Sequence, residues 1–374
     1  MPELSERYAS LPIEKKVGHL FIIGLPGEQL DESTYGLLVQ MAPSGVCLFA
    51  RNTRSASKTR MQIESLRDAL LYEPFVCIDQ EGGLVDRLRR IVEPMPSPTD
   101  VCERGTLDDL RMLARITAET VRILGFNVNF APVVDVITKA REHFNNGLRS
   151  RGLGTDAKVV AERSTAYLDE LQQGGVLGCL KHFPGIGAAE VDSHDELPEV
   201  FIEEEEIRSV DLEPYRKHFS SGRALAVMTG HAAFPNTDFQ ETDGEGRYIP
   251  TSLSRNVVTG LLRTELGFEG ASLTDDLEMG AVVRNYGMGE ACVMAVEAGH
   301  DLLLVCNSLS SVELGYRGIL EAVRNGRISE DRLNVSLERI SSFRRGLEEP
   351  LRFDEDRLME LSDEIVDLKK RIGG

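Results

Sequence analysis

Short runs of β-branched and other apolar residues recur along this chain and alternate with longer stretches in which apolar residues return at helical spacing. Eight such runs predict strands: His19 to Gly24, Gly45 to Phe49, Phe75 to Asp79, Asn127 to Val134, Val176 to Lys181, Ala224 to Thr229, Ala271 to Thr274 and Asp301 to Val305. Between them lie helical stretches such as Ala157 to Gln173, which starts after Asp156 as a cap and stops at the Gly174-Gly175 pair. Strands and helices in strict alternation form βα units on a parallel sheet. Eight of them predict an α/β protein, a single closed (β/α)8 TIM-type barrel. An open doubly wound sheet is the alternative, but no GxGxxG follows the first strand and no Walker sequence occurs.

Two regions break the alternation. Residues 139–156 follow strand 4 and residues 185–198 follow strand 5, both as long loops. In a barrel both emerge at the C-terminal face, where substrate sites are found. From Glu348 onward the chain is acidic and carries Leu358, Leu361, Ile365 and Leu368 at helical spacing. The division expected is therefore a catalytic barrel over residues 1–345 and, over 346–374, an amphipathic helix docked on the barrel or on a partner. The oligomeric state is left open.

Composition narrows the function classes. The 374 residues carry 42 basic and 61 acidic side chains, a net charge of −19 that repels nucleic acid and anionic lipid. Part of that charge is local, as in Glu203 to Glu206, which opens a helix where carboxylates favour the dipole. Four of the six cysteines, at 47, 77, 179 and 306, sit inside apolar strand runs, and no CxxC occurs; reduced, buried thiols suit the cytoplasm. Lys15-Lys16 and the apolar run Val17 to Leu25 imitate a secretion signal, but the run contains His19 and lacks a cleavage site after it. No stretch reaches the roughly 18 apolar residues that span a bilayer.

Polar residues at the predicted strand ends converge: Asp79, Asp135, Lys181 with His182, His231, and Asp275 with Asp276. One charged residue at a strand end is as often a structural ion pair. Agreement across five strands points to a catalytic mouth. A metal-dependent amidohydrolase would use His182, Asp192, His194 and His231 as ligands, yet no HxH follows the first strand and the histidines lack metal-site spacing. No metal and no cofactor is expected.

The segment KHFPGIGAAEVDSHDELP at 181–198 resembles the signature loop of glycoside hydrolase family 3, in its β-N-acetylglucosaminidase branch. IDQEGGLVDR at 78–87, GFNVNFAPVVDV at 125–136, VMTGHAAFP at 227–235 and LGFEGASLTDDLEMGA at 266–281 are similar to that family in the same order. The resemblance covers roughly residues 15–345. It implies Asp275 as the nucleophile that forms a glycosyl ester, as retaining glycosidases do. Adjacent strand residues face opposite ways, so only one of Asp275 and Asp276 is expected to meet the substrate squarely. The resemblance further implies His194 as general acid and base, held by Asp192, and Asp79, Arg87, Arg149, Lys181 and His182 as sugar-binding residues. An imidazole titrating near ~6.5 gives and recovers a proton at neutral pH without special tuning.

Two positions depart from the family pattern: Arg151 stands where an aromatic is usual, and Ile186 where a histidine lies between the two glycines. Too little chain follows residue 345 for the second α/β sandwich domain that family members often carry. The implied function is exo-cleavage of terminal N-acetylhexosamine from a glycoside or muropeptide in cytoplasmic peptidoglycan recycling. The alternatives are phosphorolysis of the same bond, another sugar specificity, and a non-catalytic sugar binder.

Overall fold

The computed structural model describes residues 8, 10–144, 147–191, 193 and 196–373. Nine parallel strand segments form one sheet: β1 (Phe21–Gly24), β2 (Gly45–Leu48), β3 (Phe75–Ile78), β4 (Val128–Asn129), β5 (Leu177–Gly178), β6 (Leu180–Phe183), β7 (Ala226–Thr229), β8 (Ala271–Asp276) and β9 (Leu302–Val305). Their order is β5-β4-β3-β2-β1-β9-β8-β7-β6. The two ends of that ladder, β5 and β6, are consecutive pieces of chain with only Cys179 between them. The sheet therefore curls round until the two halves of a single stave complete it, giving an eight-staved, nearly closed α/β barrel. Every strand residue except Asp275 and Asp276 is buried, because helices cover the outside and side chains fill the inside.

A proline explains the interrupted fourth and fifth staves. Pro132 has no N–H to give to a ladder, so regular pairing of β4 stops at Asn129. Beyond the gap Cys179 N donates to Ala131 O at 3.0 Å, and Val134 N donates to Lys181 O at 2.8 Å. The strand expected over Asn127 to Val134 is thus a short ladder followed by a bridge from Val133 to Lys181.

Regular register also fails twice at the C-terminal rim. Between β8 and β9, Leu273 lies opposite Leu302 and Asp276 opposite Leu304, three steps against two. Between β6 and β7, Lys181 lies opposite Met228 and Phe183 opposite Thr229, two steps against one. Each is a one-residue bulge, a device that re-aims side chains.

On the outside, the helix Leu107–Leu124 begins in a reciprocal cap between Thr106 and Asp109 and ends at Gly125 with φ 100°. The helix Glu355–Arg371 lies against it, with Leu358, Leu361, Ile365 and Leu368 buried. Arg357 grips both oxygens of Glu119 at 2.5 and 2.8 Å, and Lys369 reaches Glu93 at 2.7 Å.

Candidate active site

A cavity opens where the barrel strands end at their C-terminal side, lined among others by Phe49, Asp79, Arg87, Lys181, His182, Asp275 and Asp276. The two bulges decide what it contains. In unbroken strands Lys181 and His182 would face opposite ways, as would Asp275 and Asp276. The extra residue in each stave brings both members of each pair to the same cavity. Both aspartates line the cavity, yet Asp276 Oδ1 is engaged by the backbone N–H groups of Glu278 and Cys306, in keeping with the expectation that only one of the pair is free to face a substrate squarely.

One wall is a chain of alternating charges. Arg151 binds Glu81 through Nε and Nη2 at 2.7 and 2.9 Å, and Lys181 Nζ lies 2.6 Å from both Glu81 Oε1 and Asp79 Oδ1. Arg87 Nη2 stands 3.8 Å from Asp79 Oδ2. Burial pushes the Glu81 carboxyl up, but Arg151 and Lys181 more than offset it and hold Glu81 well below the usual range. Burial likewise lowers Lys181, and Asp79 with Glu81 outweighs it and raises the ammonium above its ordinary value. Lys181 is thus a fixed cation with two carboxylate partners and a third N–H beyond them. Truncating one member of such a pair strands a buried charge, at a cost of about 3–5 kcal/mol.

Arg87 reaches this wall because the chain doubles back at Gly82 and Gly83, with φ of 103° and 59°. A Cβ on Gly83 would lie 2.6 Å from that of Ser97. Gln80 locks the return, its Oε1 accepting from Arg87 N and Leu88 N at 2.9 and 3.1 Å.

His182 is set by Asp135, which is fully buried after stave 4. Asp135 Oδ2 lies 2.7 Å from His182 Nδ1, and Oδ1 accepts from Ile186 N at 2.8 Å. One carboxylate therefore fixes both the imidazole and the loop that follows. Ile186, where the family pattern has histidine, adds an apolar side chain to the cavity lining.

The two aspartates differ in state. Burial pushes Asp275 up, yet the imidazoles of His182 and His231, the Asp276 N–H and Lys181 together hold it below the ordinary value. Its Oδ1 accepts from Asp276 N at 2.8 Å. Asp276 is raised to about 7, chiefly by burial. Its Oδ1 accepts from Glu278 N and Cys306 N at 3.1 and 3.2 Å, which ties the turn after β8 to the end of β9. His231 braces the same turn, with Nε2 3.0 Å from Asp276 O and Nδ1 2.5 Å from Ser252 Oγ. Among the described residues no group of three or more His, Cys, Asp or Glu side chains is arranged to hold a metal.

The structure gathers Asp79, Arg87, Lys181, His182 and Asp275 in one cavity. It does not bring Arg149 there. Arg151 N donates to Leu148 O at 2.8 Å, closing a turn whose tip is Arg149 and Ser150. The flanking residues Leu148 and Arg151 line the cavity, while Arg149 is exposed on a neighbouring groove beside Leu84 and Phe144. Glu81 and Arg151 are the site residues that strand-end counting misses, since both lie on loops; Glu81 was visible only as part of the motif at 78–87.

The pattern of the glycosyl hydrolase family 3 N terminal domain matches residues 12–343. The chain belongs to glycosyl hydrolase family 3. Within family 3, its sequence is 29% identical over 315 residues to the beta-hexosaminidase of Haemophilus influenzae, a match covering 83% of this chain and 84% of that one. It is 28% identical over 319 residues to beta-hexosaminidase A of Pseudoalteromonas piscicida and spans only about half of it, 53%. The family 3 β-N-acetylglucosaminidase of Paenibacillus sp. str. FPU-7 has the same fold, with a TM-score of 0.85 at 32% identity over 96% of this chain and 69% of that one. The acid/base residues that the family resemblance implies, Asp192 and His194, lie outside the described residues. Ser193, between them in sequence, lines the family 3 cavity.

Proposed function

We propose that the chain is a retaining exo-β-N-acetylglucosaminidase that releases terminal N-acetylhexosamine through a covalent glycosyl–Asp275 intermediate. The observation that carries this reading is the state of Asp275, a carboxylate held below its ordinary pKa at the wall of a family 3 cavity. Asp275 attacks the anomeric carbon while the bond to the leaving oxygen breaks, and water then cleaves the ester with the anomeric configuration retained.

The first step needs a proton on the leaving oxygen. Asp79 and Glu81 are engaged by Lys181, and Asp276 accepts two backbone N–H groups. His194 is our proton donor, with Asp192 as its support, and the place of Ser193 in the cavity wall favours this. The substrate we favour is a muropeptide bearing terminal N-acetylglucosamine, processed in the cytoplasm during wall recycling. All six cysteines are free and buried, which suits a reducing compartment, and no helix among the described residues is long and apolar enough to cross a membrane.

Incubation with an aryl β-N-acetylglucosaminide tests the reading. Release of the aryl group is expected, and Asp275→Ala should lower kcat by at least about a thousandfold, the scale of losing a catalytic nucleophile. Peptide mapping after trapping with a 5-fluoro glycosyl donor should place the label on Asp275, and a label elsewhere overturns the assignment. Sugar 1-phosphate forming in phosphate buffer would make the acceptor phosphate in place of water.

A further inference from the structure

Arg151 carries a donor account that the catalytic proposal does not use. A guanidinium has five N–H groups and no acceptor. Nε gives its hydrogen to Glu81 Oε2 at 2.7 Å, and Nη2 gives one to Glu81 Oε1 at 2.9 Å. The second hydrogen of Nη2 faces His182 Nε2 at 3.3 Å. Arginine can only donate, so at this contact Nε2 accepts in the tautomer whose Nδ1 hydrogen is directed to Asp135 at 2.7 Å. Both hydrogens of Arg151 Nη1 have no partner among the described residues, and the side chain lines the cavity.

The guanidinium is also rigid. It is fastened at two atoms to Glu81, which is 2% exposed and held by Lys181 on its other side. A donor pair fixed in this way selects a strong, planar acceptor over a rotating hydroxyl.

We propose that Arg151 is the residue that selects an N-acylated sugar, its Nη1 donating to the carbonyl oxygen of the acylamino group. This rests on the glycosidase reading above and names what sets its sugar preference. The exposed Arg149, two residues away at the tip of the turn, does not line this cavity.

The test compares kcat/KM for 4-nitrophenyl β-N-acetylglucosaminide and 4-nitrophenyl β-glucoside in the wild type, Arg151→Met and Arg151→Lys. The ratio of the two should fall about ten- to a hundredfold in Arg151→Met, the scale of losing a hydrogen bond from a charged donor. Arg151→Lys keeps a cation beside Glu81 without the planar fork, and should also lose most of the preference. A parallel fall on both substrates would show Arg151 to be only a brace for Glu81 and would overturn the proposal, as would an unchanged ratio. Equilibrium binding of N-acetylglucosamine against glucose by the same proteins needs no turnover. A wild type that binds N-acetylglucosamine more tightly through Arg151 yet hydrolyses neither substrate sinks the glycosidase reading alone. Equal binding of the two sugars sinks the Arg151 assignment.

Discussion

Asp275 and Asp276 are neighbours in sequence and in the cavity, yet their surroundings send them in opposite directions. Asp276 is raised to about 7 by burial, so the folded chain holds its proton where the unfolded chain has lost it. That contribution to stability is complete below about pH 4 and is lost as the pH rises through 7. Asp276→Asn, which cannot titrate, should flatten the pH dependence of the denaturation midpoint between pH 4 and 7. The same variant separates two proton donors. It should keep most of the wild-type activity if His194 is the acid, whereas a thousandfold loss would hand that role to Asp276. Motif position ranks Asp275 first and strand alternation sets its neighbour apart, but neither reveals the bulge that leaves both at the cavity wall. A bulge is a property of two paired strands, and no single run of residues displays it. The placement of Arg149 is hidden for a related reason, since a turn closed by one backbone hydrogen bond sets which arginine lines the cavity.

Helices and strands were more legible than the loops between them. Their apolar patterns reflect burial on one face or two, and that demand is local. All eight expected staves are present, and their ends move by a few residues where Pro132 withholds a donor or where β8 runs on through Asp276. The helix Glu355–Arg371 owes its place to four buried apolar side chains and to the grip of Arg357 on Glu119. Leu361 is fully buried in that seam. Leu361→Ala should destabilise the fold by about 2–5 kcal/mol, the cost of a core leucine with its residual cavity, measured by urea denaturation. A loss under 1 kcal/mol would mean that the helix is only loosely held.

The net charge of −19 acts over the whole molecule rather than at any one residue. A substrate with carboxylates on its leaving group approaches against that field, which salt screens over about 8–10 Å. For such a substrate kcat/KM should rise severalfold from low ionic strength to 0.15 M, while a neutral aryl glycoside should show little change. Equal salt responses would mean that the cavity's own cations dominate the approach. The way the barrel closes has a further consequence. Its seam is the stave of β5 and β6, one half bonded to β4 and the other to β7, and that stave ends in Lys181 and His182. If the cylinder parts there on warming, the ammonium and imidazole part with it, so inactivation should track amide exchange along this seam and precede global melting.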